Sequence, residues 1–289
     1  MSLQADLARW REHLTRFAAL LGAPPDRQAA AGRQAAAGRE AAPGHCLVFA
    51  PHPDDECIVG ALPLRLRQEA GWRITNVAVT LGSDPGRRAA RWAEVQAACE
   101  VLGFDCVGVG EQGLSDVRAD TAEREPALWA AHVQAIAALL AHHRPALVLL
   151  PHAEDDNPSH RGVHRLVMDA LAATGLDCVL ALTEFWSTQA APNTLVQTGI
   201  ADTARLIAAL ERHTGEIARN PYHLRLPAFL ADAVRRGGEL VLGAGAAPPD
   251  FAFATLYRLV ACRAGRPAAE LPRRVFPADQ ALTSDLLLP

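Results

Sequence analysis

Cys46-Leu47-Val48-Phe49-Ala50-Pro51-His52-Pro53-Asp54-Asp55-Glu56 passes from five apolar residues to four ionisable ones within one short stretch. The apolar half has the length and composition of a buried strand. The polar half crowds three carboxylates and an imidazole into one turn, and neighbouring carboxylates repel unless a cation or strong donors offset their charge. A metal ion is the economical explanation. A histidine and a carboxylate are ligands that catalytic zinc accepts, and Pro53 stiffens the turn so that His52 and Asp55 can face the same way.

Downstream of this stretch, β-prone apolar runs recur at 74–80, 106–109, 146–150 and 178–183, with helical patterns between them at 87–102, 125–143 and 160–173. This alternation predicts an α/β domain of Rossmann-like class, a mainly parallel sheet with helices on both faces. In such open sheets ligands bind beyond the carboxyl ends of the strands. Three polar clusters directly follow strand runs, at 51–56, 81–84 and 151–160. A catalytic zinc takes three protein ligands and keeps a position open for water. His160 ends the third cluster and opens a helical pattern, so the sheet can carry it to His52 and Asp55 as the third ligand. Zinc is the expected ion, with another divalent metal as the alternative. His164 follows one helical turn later on the same face.

At 289 residues, half of them apolar, the chain can bury the core of one sizeable domain. Residues 3–21 place Leu3, Leu7, Trp10, Leu14, Phe17 and Leu21 at spacings of four and three. Such a stripe belongs to an N-terminal helix that must dock on the chain's own domain or on a sister subunit, so a homo-oligomer is possible. Residues 22–44 carry the near-repeat RQAAAG-RQAAAG-REAAPG and read as a linker or frayed helix. The extension 1–44 is therefore set apart from a catalytic domain over 45–289.

The net charge of −4 is small and the basic residues alternate with acidic ones, which argues against a nucleic-acid partner. All 28 basic residues are Arg, and without Lys there is no Schiff-base chemistry. Cys46, Cys57, Cys99, Cys106, Cys178 and Cys262 form no Cys-x-x-Cys pair and are expected to be reduced core residues. The sequence has no run of eighteen apolar residues, and charges stand where a signal peptide needs its apolar stretch. A cytoplasmic protein without a transmembrane segment is expected.

Ala50-Pro51-His52-Pro53-Asp54-Asp55-Glu56, with Gly60 four residues on, resembles the (A/P)HPDDE signature of the PIG-L/LmbE deacetylases, the family of GlcNAc-PI de-N-acetylase. Arg91-Trp92-Ala93-Glu94 followed by Ala98 and Leu102-Gly103 resembles that family's R-x-x-E helix, and 155–164 its second metal-binding segment. Glu184-Phe185-Trp186 and Pro192-Asn193 resemble a later E-x-W and P-N pattern. The resemblance covers roughly 46–263 and leaves the N-terminal helix outside. It implies zinc on His52, Asp55 and His160 and Asp54 as general base. The implied reaction is hydrolysis of an N-acyl, usually N-acetyl, group from a small amino sugar or glycoconjugate. Rival activities are a zinc amidase acting on a thiol conjugate or secondary metabolite, and a zinc-dependent hydratase on the same scaffold; the intact pentapeptide with Asp54 favours hydrolysis.

One position departs from the pattern. Many members read H-P-D-H where this chain has Asn157-Pro158-Ser159-His160. The resemblance gives the first of these positions to an acid or oxyanion stabiliser, and an amide can donate a hydrogen bond but transfers no proton. Either the proton returns through Asp54, or His164 or another group supplies it. Asp84 is a candidate for sugar hydroxyls or a plain turn residue. Arg91 either braces the site, meets substrate, or forms a surface ion pair with Glu94. Asp155 and Asp156 are open between partner of a metal histidine and solvated loop. His132, His142 and His143 read as structural or surface residues.

Overall fold

A computed structural model of the chain describes residues 2–24 and 44–283. Apart from residues 22–24 and 44, the expected linker lies outside the described residues.

The stretch that opens the sequence argument becomes β1 (His45–Ala50), at the centre of the sheet. It pairs in parallel with β2 (Arg73–Ala78) on one side and β4 (Leu147–Pro151) on the other. Beyond them β3 (Asp105–Gly108) and β5 (Cys178–Thr183) continue the parallel order β3-β2-β1-β4-β5. The chain first winds outward through β2 and β3 and then returns to the far side of β1. This reversal opens a crevice between the carboxyl ends of β1 and β4, the place where such sheets bind ligands.

Past β5 the sheet turns antiparallel. There β7 (Ala254–Arg263) lies against β5, and β6 (Thr194–Gln197) and β8 (Arg266–Glu270) pair with β7. The short β9 (Arg274–Phe276) adds parallel to β6. Asn193, from the expected P-N pair, is buried and holds this region together. Its Nδ2 donates to the carbonyls of Leu259 and Leu271, and its Oδ1 accepts from the Leu259 amide.

Both faces of the parallel strands are covered, which explains why they read as continuous apolar runs. In β1, Cys46 and Val48 join one core and Leu47 and Phe49 the other; in β4, Leu147 and Leu149 oppose Val148 and Leu150 in the same way. The first core is closed by α1 (Leu3–Leu20), α2 (Ala61–Ala70), α3 (Arg88–Leu102), α7 (Ile200–Leu210) and α9 (Tyr222–Gly237). The second is closed by α5 (Pro126–His143) and α6 (Pro158–Thr174), with the short α4 (Thr121–Arg124) leading into α5. Between α7 and α9 lies α8 (Thr214–Arg219), a short helix with a large part in the site.

The N-terminal stripe docks on its own chain. Leu7, Trp10 and Leu14 are buried, Phe17 stacks on Phe253 at 6.0 Å, and Arg9 and Arg212 form ion pairs that join α1 to the end of α7. Complete burial of a side chain such as Leu14 contributes about 1.5–3 kcal/mol. Leu21 departs from the expected stripe and is half exposed, because it caps the helix just before the chain turns away at Gly22. Five of the six cysteines are buried and Cys106 is partly so, all of them free. Among the described residues no helix is long and apolar enough to cross a membrane.

Candidate metal and catalytic centre

Immediately after β1 the chain makes a tight turn into one turn of 3-10 helix, Asp55–Cys57. The Asp55 amide donates to the His52 carbonyl at 3.2 Å, and the His52 amide donates to Asp55 Oδ2 at 2.8 Å. Backbone and side chain therefore fix His52 and Asp55 against each other. At the end of the neighbouring β4, Asn157 caps α6, its Oδ1 accepting from the Ser159 amide at 2.9 Å. The first turn of α6 then delivers His160 across the crevice.

Three candidate ligand atoms meet there. His52 Nδ1 lies 3.2 Å from His160 Nε2, and Asp55 Oδ2 lies 3.5 Å from the first and 3.4 Å from the second. Nitrogen and oxygen ligands held 2.0–2.2 Å from a tetrahedral ion stand about 3.3–3.6 Å apart. The triangle thus has the spacing, and the two imidazoles and a carboxylate have the chemistry, of a three-ligand zinc site. His160 Nδ1 donates to Asp155 Oδ2 at 2.9 Å, which leaves the Nε2 lone pair facing the triangle. Asp155 also accepts from the Asn157 amide at 2.8 Å and so joins the helix cap to the ligand. Burial works to lower the His160 pKa, yet Asp55 and Asp155 push it up to about 10. Burial works to raise Asp55, but the two histidines hold it below the usual carboxylate range.

Asp54 precedes the ligand Asp55 and is nearly buried at 7% exposure. Its φ of 116° lies in the region that glycine favours. A non-glycine residue there costs about 1–3 kcal/mol and persists only where its surroundings enforce it. Burial, followed by the charges of Asp55, Glu56 and Glu216, raises the Asp54 pKa well above its ordinary value, with Arg91 acting in the opposite sense.

His52, Asp54, Asp55 and His160 all line one cleft of about 880 Å³. Asn157 lies on its wall, with the side-chain Nδ2 unpartnered among the described residues. His164 is elsewhere. Its ring is tied back to the Pro151 carbonyl at 2.8 Å, it does not line the cleft, and burial lowers its pKa. Arg91 reaches the cleft, with its guanidinium packed so closely on Gly82 that a Cβ there would lie 1.8 Å from Nη1. Its partner is Glu216 at 3.1 Å, whereas the expected Glu94 accepts instead from the Thr214 hydroxyl and the Gly215 amide. Asp84 is exposed and outside the cleft lining, where it caps a single 3-10 turn by accepting from the Gly86 amide at 2.9 Å. Asp156 accepts from the Ser187 hydroxyl at 3.0 Å.

On the far wall only the E-x-W stretch carries a sequence pattern, and the rest comes from segments with no recognisable motif. Phe185, Trp186 and Ser187 follow β5, while Glu216 and Arg219 of α8 and Tyr222 and Arg225 of α9 face the turn. Glu216 is buried and gathers Arg87, Arg91 and Arg219 around one carboxylate. Tyr222 packs against Trp186 with ring centroids 5.0 Å apart and planes tilted by 34°, and burial together with the Asp54 charge raises its pKa, which keeps the phenol a hydrogen-bond donor.

Residues 47–171, which carry the turn, Arg91 and His160, match a family profile described as PIG-L, GlcNAc-PI de-N-acetylase, over a little under half of the chain. Solved structures share the fold over a longer span at low identity. N,N'-diacetylchitobiose deacetylase from Pyrococcus horikoshii is 15% identical with a TM-score of 0.50, over 75% of this chain and 83% of that one. The zinc-inhibited form of teicoplanin deacetylase Orf2 is 14% identical with a TM-score of 0.53, over 75% and 98%. GalB, the 4-carboxy-2-hydroxymuconate hydratase of Pseudomonas putida KT2440, is 18% identical with a TM-score of 0.54, over 75% and 96%. At such identities the likeness is one of fold. No curated protein matches the chain by sequence.

Proposed function

We propose, from the premise that the chain has the PIG-L/LmbE deacetylase fold, that it is a metal-dependent hydrolase removing an N-acyl group, acetyl foremost, from an amino sugar or its conjugate. The observation that carries this reading is the triangle of His52, Asp55 and His160, spaced 3.2–3.5 Å and sharing a cleft with the buried carboxylate of Asp54. A divalent ion, zinc by the choice of ligands, would be held by these three residues and would supply Lewis acidity for activating a water.

The chain's own residues do the rest. Asp54 takes a proton from the water as its oxygen attacks the amide carbonyl. Burial and the neighbouring carboxylates raise the Asp54 pKa, which favours its accepting that proton, and the protonated group then stands next to the departing amine to return it. As the C–N bond breaks, the acyl group leaves as a carboxylate and the sugar as an ammonium, the nitrogen having gained both protons of the water. Asn157 Nδ2 and the Tyr222 hydroxyl are neutral donors on the wall for the developing oxyanion. Arg91, held by Glu216, and the rings of Trp186 and Tyr222 form a surface on which a sugar ring can lie.

The fold is also that of a hydratase, and the same centre could add water to a double bond. The experiment that separates the two is a panel of N-acetylated amino sugars with metal-loaded protein, read by primary-amine and acetate release, alongside unsaturated hydroxy acids read by ultraviolet absorbance. Amine release that stops on chelation is expected. Loss of diene absorbance without amine release from any sugar would replace hydrolysis by hydration.

A further inference from the structure

We propose that His213 is a positioning residue for the catalytic turn, acting through Glu56 on the backbone of Asp54 and hence on the ligand Asp55. The proposal rests on the hydrolytic reading above, but half of its test needs no substrate.

Glu56 and His213 are both fully buried, at 0% exposure. His213 Nε2 lies 2.5 Å from Glu56 Oε1, a contact between residues 157 apart in the chain. The other carboxylate oxygen, Oε2, accepts the amide proton of Asp54 at 3.1 Å. Asp54 is the residue held at a φ of 116°, and its own side chain makes no capping bond. The hydrogen bond from the Asp54 amide to Glu56 is thus a restraint on the strained residue, and His213 fixes the carboxylate that accepts it.

His213 is itself anchored. It stands at the junction of α7 and α8, and its carbonyl accepts the amides of Glu216 and Ile217, both at 3.0 Å. The same short helix therefore aims Glu216 at Arg91 on the cleft wall and His213 at the back of the turn. One connection runs from α8 through His213 and Glu56 to Asp54.

Glu56, Cys57 and His213 also form a group with ligand atoms within 4.8 Å of one another. Two ligands on one ion stand about 3.3 Å apart or more. The 2.5 Å contact between His213 and Glu56 is the length of a hydrogen bond and leaves no room for an ion between them.

The test uses the full chain with His213→Ala, His213→Gln, Glu56→Ala and Glu56→Gln. Zinc affinity is measured by competition with a chromogenic chelator, the visible spectrum is recorded with cobalt in the site, and melting temperature is followed throughout. Then kcat and KM are taken at saturating zinc with the best sugar of the panel. His213→Ala and Glu56→Ala are expected to weaken zinc about 10–100-fold and to shift the cobalt bands. At saturating zinc they should lower kcat about tenfold or more with KM nearly unchanged, the mark of a misplaced reacting group.

Glu56→Gln keeps an acceptor for the Asp54 amide and a polar partner for the imidazole, so it should restore most of both losses. His213→Gln serves the same purpose should the alanine variant fail to fold. The His213→Ala/Glu56→Ala double variant should lose little more than either single one. Variants that melt earlier but keep wild-type zinc affinity, cobalt spectrum and kcat would overturn the proposal and leave a core polar pair. A second zinc equivalent per wild-type chain that vanishes in His213→Ala would overturn it as well. If no sugar reacts, the zinc and cobalt results still decide, so failure of the substrate reading is seen separately.

Discussion

The triangle of His52, Asp55 and His160 and the pair of Glu56 and His213 are made of the same two chemical groups, imidazole and carboxylate, and meet on one turn of chain. In the triangle the facing atoms stand 3.2–3.5 Å apart beside the cleft, and in the pair they stand 2.5 Å apart with no exposure. The wider spacing has room for a cation among three atoms, the narrower only for a proton between two. Residue identity alone does not separate a metal site from a brace. Separation of the facing atoms does, together with access to solvent.

The strongest way to break that contrast is to remove a ligand. Asp55→Ala should lose metal almost completely, well beyond the 10–100-fold expected of a residue outside the ligand set, as measured by elemental analysis after dialysis. Next comes Asp54→Asn, which should keep metal near wild type while turnover falls by about 10²–10⁴, the usual share of a general base. If the two variants lost metal equally, Asp54 would belong to the ligand set.

Asn157→Ala should lower turnover by about 10²–10³ through loss of an oxyanion donor. It also removes the α6 cap, worth about 1 kcal/mol of stability, so its melting temperature must be read beside kcat. The contrast also has a pH signature. In the metal-free protein the raised His160 pKa stabilises the fold below its ordinary value of roughly 6.5, and this contribution is lost as pH rises through about 10. Metal works in the opposite sense because it needs the ring deprotonated, so zinc affinity should rise about tenfold per pH unit over that window. A flat pH profile of affinity would mean that His160 is not a ligand. The smallest effect belongs to His164→Ala, expected to leave kcat within about threefold because the ring is tied to the Pro151 carbonyl and is off the cleft.

The parallel half of the sheet was legible in the amino-acid sequence because strands buried on both faces read as unbroken apolar runs, and each of the five runs became one strand. The crevice followed from the order of strands and helices, and with it the polar clusters at the ends of β1 and β4. The antiparallel part was not legible. Its strands are set by partners across the sheet, as β7 is by β5, and α7 to α9 carry no motif. His213 and Glu216 illustrate the loss. Each is a single polar residue in an ordinary segment, and what gives it meaning, Glu56 or Arg91, lies far away in the chain. The choice left open for Arg91, between a pair with Glu94 and a place at the site, could not be made from sequence for the same reason, since spacing on a helix shows which residues are neighbours but not which tertiary partner outcompetes them.

His52 and His160 are 108 residues apart and meet only because β1 and β4 lie side by side. During synthesis the first two ligands emerge long before α6 exists, and two ligands alone make a poor trap for an ion. With the proposed ligand set, metal capture would therefore be an event of the assembled sheet, late in the life of the nascent chain.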